Sequence, residues 1–225
     1  MDRKTPFIIL AIVLVILAVA ILAPGGRTVD SKPILPWQIA ILDDGSPRVF
    51  ELTLGISPLS QAVQLLSEAP TLNLFRSPSG EFSIEAYFQR VALSGLRADF
   101  ILTLEIDPQL ATQMFERGLR ISQLGSGSKK VNLSEADIQL AMGSPIRHIT
   151  YIPATDLDAE LIERYFGKPD QIIDDPEGGA HWLYPNKGLD IALNPDTKEV
   201  FQYIHPQQFK QLLDPLLQQA DPSKK

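Results

Sequence analysis

The most conspicuous pattern along the chain is an unbroken apolar run at its N-terminus. From Phe7 to Ala23 the sequence reads FIILAIVLVILAVAILA, behind the basic pair Arg3 and Lys4. As a helix, its 17 residues reach about 25 Å, close to the roughly 30 Å of a hydrocarbon core. A helix of this composition satisfies its backbone internally in lipid, and it has no polar stripe to present to water. Residues 1–23 are therefore expected to be a membrane anchor. A cleaved signal peptide is the alternative, because Ala18-Val19-Ala20 has the small-x-small form. Basic residues flank the run on both sides, at Arg3 and Lys4 and at Arg27 and Lys32. The basic head and free amine favour a cytoplasmic N-terminus, with the bulk of the chain outside the cytoplasm.

Residues 24–36 (PGGRTVDSKPILP) read as a juxtamembrane linker. Beyond it, Trp37 to Leu42 and Arg48 to Leu54 are strand-like, with Asp43-Asp44-Gly45-Ser46 as a hairpin turn. Ser57 and Pro58 open a helix running to about Leu66, with Leu59, Ala62, Val63 and Leu66 on one face. Glu81 to Val91 and Ala98 to Ile106 pair as strands around Ser94-Gly95. In the second of these, Phe100, Leu102, Leu104 and Ile106 alternate with other residues as in a half-buried strand. Asp107-Pro108 starts a helix that ends near Gly118.

Gly125 to Lys130 is a linker or an exposed hairpin loop. Ser134 with Asp137 resembles a capping box, with Leu133 and Ile138 at the staple positions, and the helix stops at Gly143-Ser144-Pro145. A strand over Ile146 to Ile152 follows, then a helix from Asp158 to Phe166, stopped at Gly167-Lys168-Pro169. The alternation then predicts strands at Gln171–Asp174, Ala180–Tyr184, Leu189–Leu193 and Val200–Ile204, and an amphipathic helix near Gln207 to Gln219. The fold class is α+β: a transmembrane helix, then antiparallel sheets with short helices on one face. The turns between strands are too short for parallel crossovers. Two halves are expected, 37–124 and 131–219.

Composition narrows the function. Lys plus Arg total 20 against 27 Asp plus Glu, a net charge of −7. With no basic run, that balance argues against nucleic acid as a partner. There are no cysteines, which excludes disulfides, thiolate nucleophiles, zinc ribbons and a lipidated N-terminal cysteine.

The stretch from Asp156 to Ile204 resembles the small envelope domain shared by BamE (SmpA/OmlA) and the β-lactamase-inhibitor-like proteins. The matching residues are Phe166-Gly167-Lys168-Pro169, then Trp182 and Tyr184, then Gly188-Leu189-Asp190-Ile191. Ser134 to Pro145 supplies the preceding helix. At an offset of 100, Leu65-Leu66-Ser67 lies over Tyr165-Phe166-Gly167, so the first half reads as a degenerate copy. BamE proteins carry a lipid on an N-terminal cysteine; here a transmembrane anchor takes that role. The resemblance implies a partner-binding or envelope-assembly role without chemistry, and transfers no functional residue.

Few residues suit catalysis. His148, His181 and His205 are dispersed and lack metal-ligand spacing. Asp174, Asp175 and Glu177 lack the alternation of a calcium loop and read as a solvated turn. No nucleophile-elbow, dinucleotide or P-loop motif occurs. The expectation is an exported, membrane-anchored protein-binding or scaffolding module with no catalytic residue, cofactor or metal. Its partners are the membrane, through residues 7–23, and other envelope proteins. Trp182, Tyr184, Phe201 and Tyr203 are the candidate partner-binding residues, against a default in which they are core. The alternatives are an anchored hydrolase using a pair such as Asp190 with His181, or a carrier of an apolar ligand.

Overall fold

The computed structural model describes residues 32–176 and 178–220, so the expected anchor at 7–23 lies outside the described residues. Among those described, no helix is long and apolar enough to cross a membrane. One folded unit begins at Ile34.

Three short strands come first: β1 (Ala40–Ile41), β2 (Pro47–Val49) and β3 (Leu52–Thr53). The strand expected over Arg48 to Leu54 is broken by a two-residue turn. Phe50 and Glu51 both take positive φ, 51° and 57°, the backbone of a hairpin turn that usually recruits Asn-Gly. Burial of the Phe50 ring offsets that strain: it packs edge-on at 5.2 Å from Phe100 and 5.6 Å from Tyr203.

The remaining strands form one sheet. They are β4 (Thr71–Arg76), β5 (Phe82–Leu93), β6 (Leu96–Leu104), β7 (Arg120–Gln123) and β8 (Lys129–Asn132). To these are added β9 (Ile146–Pro153), β10 (Gln171–Asp174), β11 (Ala180–Tyr184), β12 (Leu189–Leu193) and β13 (Val200–Ile204). Their order is β10-β11-β12-β13-β9-β6-β5-β4-β8-β7. All these pairings are antiparallel, including β6 with β9, which brings strands of both expected halves into one sheet. The fold is α+β with antiparallel sheets and short helices.

The helices are α1 (Leu59–Leu66), α2 (Pro108–Glu116), α3 (Glu135–Met142), α4 (Ala159–Phe166) and α5 (Lys210–Ala220). The first four bury Leu59, Ala62, Met114, Ala141, Ile162 and Phe166 against one face of the sheet, in a core with Phe88, Phe100, Ile149 and Phe201. Their caps follow local chemistry. Asp107 Oδ1 accepts from Gln109 N and Leu110 N, and Asp158 Oδ1 accepts from Leu161 N. Ser134 accepts from Asp137 N and donates to the Asp137 carboxylate, which also pairs with Arg117. Ser57 does not cap α1; the helix opens at Pro58, and Ser57 Oγ accepts from Thr53 N.

The expectation of helices on one face needs correction. Side chains alternate along a strand, and Leu183 and Ile204 point away from the face that carries Tyr184 and Tyr203. They meet Ile173 and Phe209 in a second, smaller cluster, against which Leu212, Leu213 and Leu216 of α5 pack. The C-terminal helix therefore lies on the opposite face. A 3-10 turn, Pro206–Gln208, leads into it.

Candidate functional site

Three of the four aromatic residues proposed for partner contact turn inward. Tyr184, Phe201 and Tyr203 are buried, and Trp182 is partly buried against the main core. Cross-strand pairing explains this. Trp182 opposes Ile191, Ile191 opposes Phe201 and Leu189 opposes Tyr203, so all share the face covered by α4. Both buried phenols have partners: Tyr184 Oη donates to the Gly167 carbonyl at 2.9 Å and Tyr203 Oη to the Pro36 carbonyl at 3.0 Å. Burial pushes the Tyr184 hydroxyl up to about 12. Tyr184, Phe201 and Tyr203 hold the core, so they do not form the surface expected on the meander; Trp182 keeps part of its ring exposed.

The opposite face brings together the pair named for hydrolysis. His181 on β11 and Asp190 on β12 sit diagonally across one hairpin, with Nδ1 at 3.0 Å from both Asp190 oxygens. Gln202 Nε2, from β13, donates to Asp190 Oδ2 at 3.2 Å. Asp190 is fully buried, and its hydrogen bond holds the His181 imidazole above its ordinary value. That arrangement can orient an imidazole, as a carboxylate does in a hydrolytic triad. Among the described residues no hydroxyl is hydrogen-bonded to the His181 ring. The pair thus ties β11 to β12.

The other two histidines stand apart. His148 on β9 is pushed down to about 4 by burial, reinforced by Arg147, and its Nε2 has no hydrogen-bond partner. His205 Nδ1 accepts from Gln207 N at 3.2 Å. Among the described residues no three His, Asp or Glu side chains are placed to hold a metal ion.

Two grooves stand out among the described residues. The larger, about 1170 Å³, runs between the β4–β5 turn, α2 and α5, and mixes Phe75, Phe82 and Pro215 with Glu85, Arg147 and Lys210. Desolvation raises the Glu85 carboxyl above its ordinary value. Mixed polarity suits a polar or peptide-like occupant better than the apolar ligand of the carrier alternative. The smaller groove, about 640 Å³, lies between the loop before α4 and the turn from β12 to β13.

The two edges of the large sheet differ sharply. At the β10 edge, α5 packs on the face of the strand over Ile173, and Asp170, Asp174 and Asp175 add charge, a familiar way of blunting an edge. Ile172 is its exposed apolar side chain, at 53%. At the other edge, among the described residues, β7 pairs with β8 alone. Ile121 within it and Leu119 and Leu124 on either side of it are 55%, 74% and 38% exposed. In the sequence the Gly-Ser loop at its tip obscures the short β7–β8 hairpin, although Leu119 and Ile121 alternate with Arg120 and Ser122.

No family model, curated protein or solved structure matches the chain.

Proposed function

We propose that this chain is a membrane-tethered, exported module that binds another envelope protein and performs no chemistry of its own, and that the partner adds a strand at β7. The observation that carries the reading is the bare apolar edge of β7. An unpaired strand offers a row of backbone donors and acceptors, and exposed apolar side chains along it supply the specificity of strand addition. The 17-residue apolar run behind Arg3 and Lys4 supports the tether. The order of helix then meander, α1 with β4 to β6 and α4 with β10 to β13, supports reading the halves as related and the second as BamE-like.

Replacing Ile121 with Lys tests the docking edge, because an edge lysine discourages strand pairing while leaving the β7–β8 ladder in place. Partner capture in the native membrane is expected to fall with the melting temperature unchanged. Equal capture by the variant overturns the assignment. A reporter fused after Lys225 tests the topology, with activity expected only on the exported side.

A second reading, an anchored hydrolase, draws on the His181–Asp190 pair. Turnover of an ester or amide panel by the full chain, lost on His181→Gln, selects it over the binding module.

A further inference from the structure

The β7–β8 hairpin is the basic part of an acidic chain. Residues 117–133 hold four cations, Arg117, Arg120, Lys129 and Lys130, and no carboxylate, whereas the whole chain carries a net charge of −7. Arg117 is paired with the buried Asp137. Among the described residues, Arg120, Lys129 and Lys130 belong to no ion pair, and neither does Arg76 on β4. Arg76 and Lys129 stand directly opposite each other across β4 and β8, and both are exposed. Like charges so placed destabilise a sheet, and a carboxylate beside them offsets the cost. The Arg76 guanidinium lies instead over the rings of Phe82 and Phe115, 5.7 and 5.6 Å from their centroids.

Register sets these charges around the open edge. Leu124 N donates to the Ser128 carbonyl at 2.8 Å, and Gln123 opposes Lys129. Bonding alternates along an antiparallel ladder, so the backbone N–H and C=O of Ile121 and Gln123 turn to the open side. Side chains alternate too: Arg120, Ser122 and Lys130 share one face, and Ile121, Lys129 and Arg76 share the other. A strand added at β7 therefore meets an apolar contact at Ile121 and cations on both faces. A second copy of the chain would bring its own Arg120, Lys129 and Lys130 against these, the charge pattern that natural edges use against self-pairing. A lipid surface attracts the cations but leaves the outward backbone groups without hydrogen-bond partners, which is costly in hydrocarbon. An extended peptide satisfies both.

We propose that the partner strand at β7 is acidic, with an apolar side chain over Ile121 and carboxylates facing Arg120 and Lys130 on one face and Lys129 and Arg76 on the other. This rests on the strand-addition reading above and names the chemistry of its partner.

Fluorescence anisotropy of labelled peptides on the full chain in phosphatidylcholine nanodiscs tests it. The probes are strand-forming peptides that alternate valine with glutamate, with glutamine or with lysine. The glutamate peptide is expected to bind about tenfold tighter than the glutamine peptide, and the lysine peptide weakest. Lys129→Glu is expected to weaken the glutamate peptide about tenfold. Lys168→Glu makes the same change of net charge before β10, at the other end of the sheet, and should leave binding unchanged. Should Lys129→Glu lower the melting temperature, Arg120→Gln carries the test with a smaller loss of the same sign. Ile121→Pro removes an outward N–H while sparing the β7–β8 ladder, and is expected to abolish binding of the glutamate and glutamine peptides alike. Equal affinity for those two peptides, both lost on Ile121→Pro, overturns the acidic partner and leaves strand addition standing. A glutamate preference that survives Ile121→Pro overturns strand addition, and the proposal with it. A photo-crosslinker at position 121 that labels lipid in phosphatidylglycerol nanodiscs, undiminished by the glutamate peptide, overturns the proposal in favour of a membrane surface.

Discussion

The hydroxyl of Tyr203, on the last strand, donates to the carbonyl of Pro36, just inside the start of the folded unit, at 3.0 Å across 167 positions. Together with the bond from Ile34 N to Ser94 Oγ at 2.7 Å, it pins the last residues of the expected linker onto the folded unit. The chain thus leaves the folded unit from a fixed point. Tyr203→Phe removes the donor, keeps the ring and leaves a carbonyl unpaired, and is expected to cost about 1–2 kcal/mol in denaturant melts. An unchanged midpoint would show the contact contributes nothing.

The meander aromatics make a contrasting pair for stability. Phe201 is buried between Tyr151 and Phe166, with ring centroids at 5.7 and 5.5 Å, so Phe201→Ala is expected to cost about 3–5 kcal/mol. Trp182 is only partly buried, and its truncation should cost less. Equal melting temperatures for Phe201→Ala and the parent would contradict the interior placement.

Two histidines give opposite pH signatures. The folded value of His148 is about 4, below its ordinary 6.5. Between those values the unfolded chain takes up a proton that the folded chain does not, so stability falls as pH drops, by about 3 kcal/mol in total. His148→Val is expected to flatten that loss. His181 is shifted upward by its bond to Asp190. Its contribution is therefore complete below pH 6.5 and disappears as pH rises through the raised folded value. His181→Gln should lower the melting temperature more at pH 5.5 than at pH 8.5. Thermal melts of both variants across this range check the two signs, and parallel profiles would refute the assignments.

The meander from Gln171 to Ile204 was legible because strict alternation and tight turns both lie within a few residues; its four strands fall where the pattern places them. The same locality made the His181–Asp190 pair visible, since one short hairpin carries both. β4 was not anticipated, although Leu72 and Leu74 alternate between Pro70 and Ser77; a run of six residues between two turns is a weak signal. The turn at Phe50–Glu51 and the opposite-face position of α5 were not legible. Each depends on tertiary packing, of one ring in the core and of three leucines over Leu183 and Ile204. For the same reason alternation marked Tyr184, Phe201 and Tyr203 as sharing a face without saying that α4 covers it. The edge status of β7 was beyond reach, because strand order is a property of the whole sheet.

The central claim is that a partner protein pairs with β7. Its most direct measurement places a photo-crosslinking residue at Ile121 and, separately, at Ile172 on the opposite edge, in the full chain in its own membrane. The account predicts a discrete adduct from position 121 that disappears when Leu119 is also replaced by Lys, and none of that mass from position 172. The same adduct from both edges, or none from position 121, would contradict it.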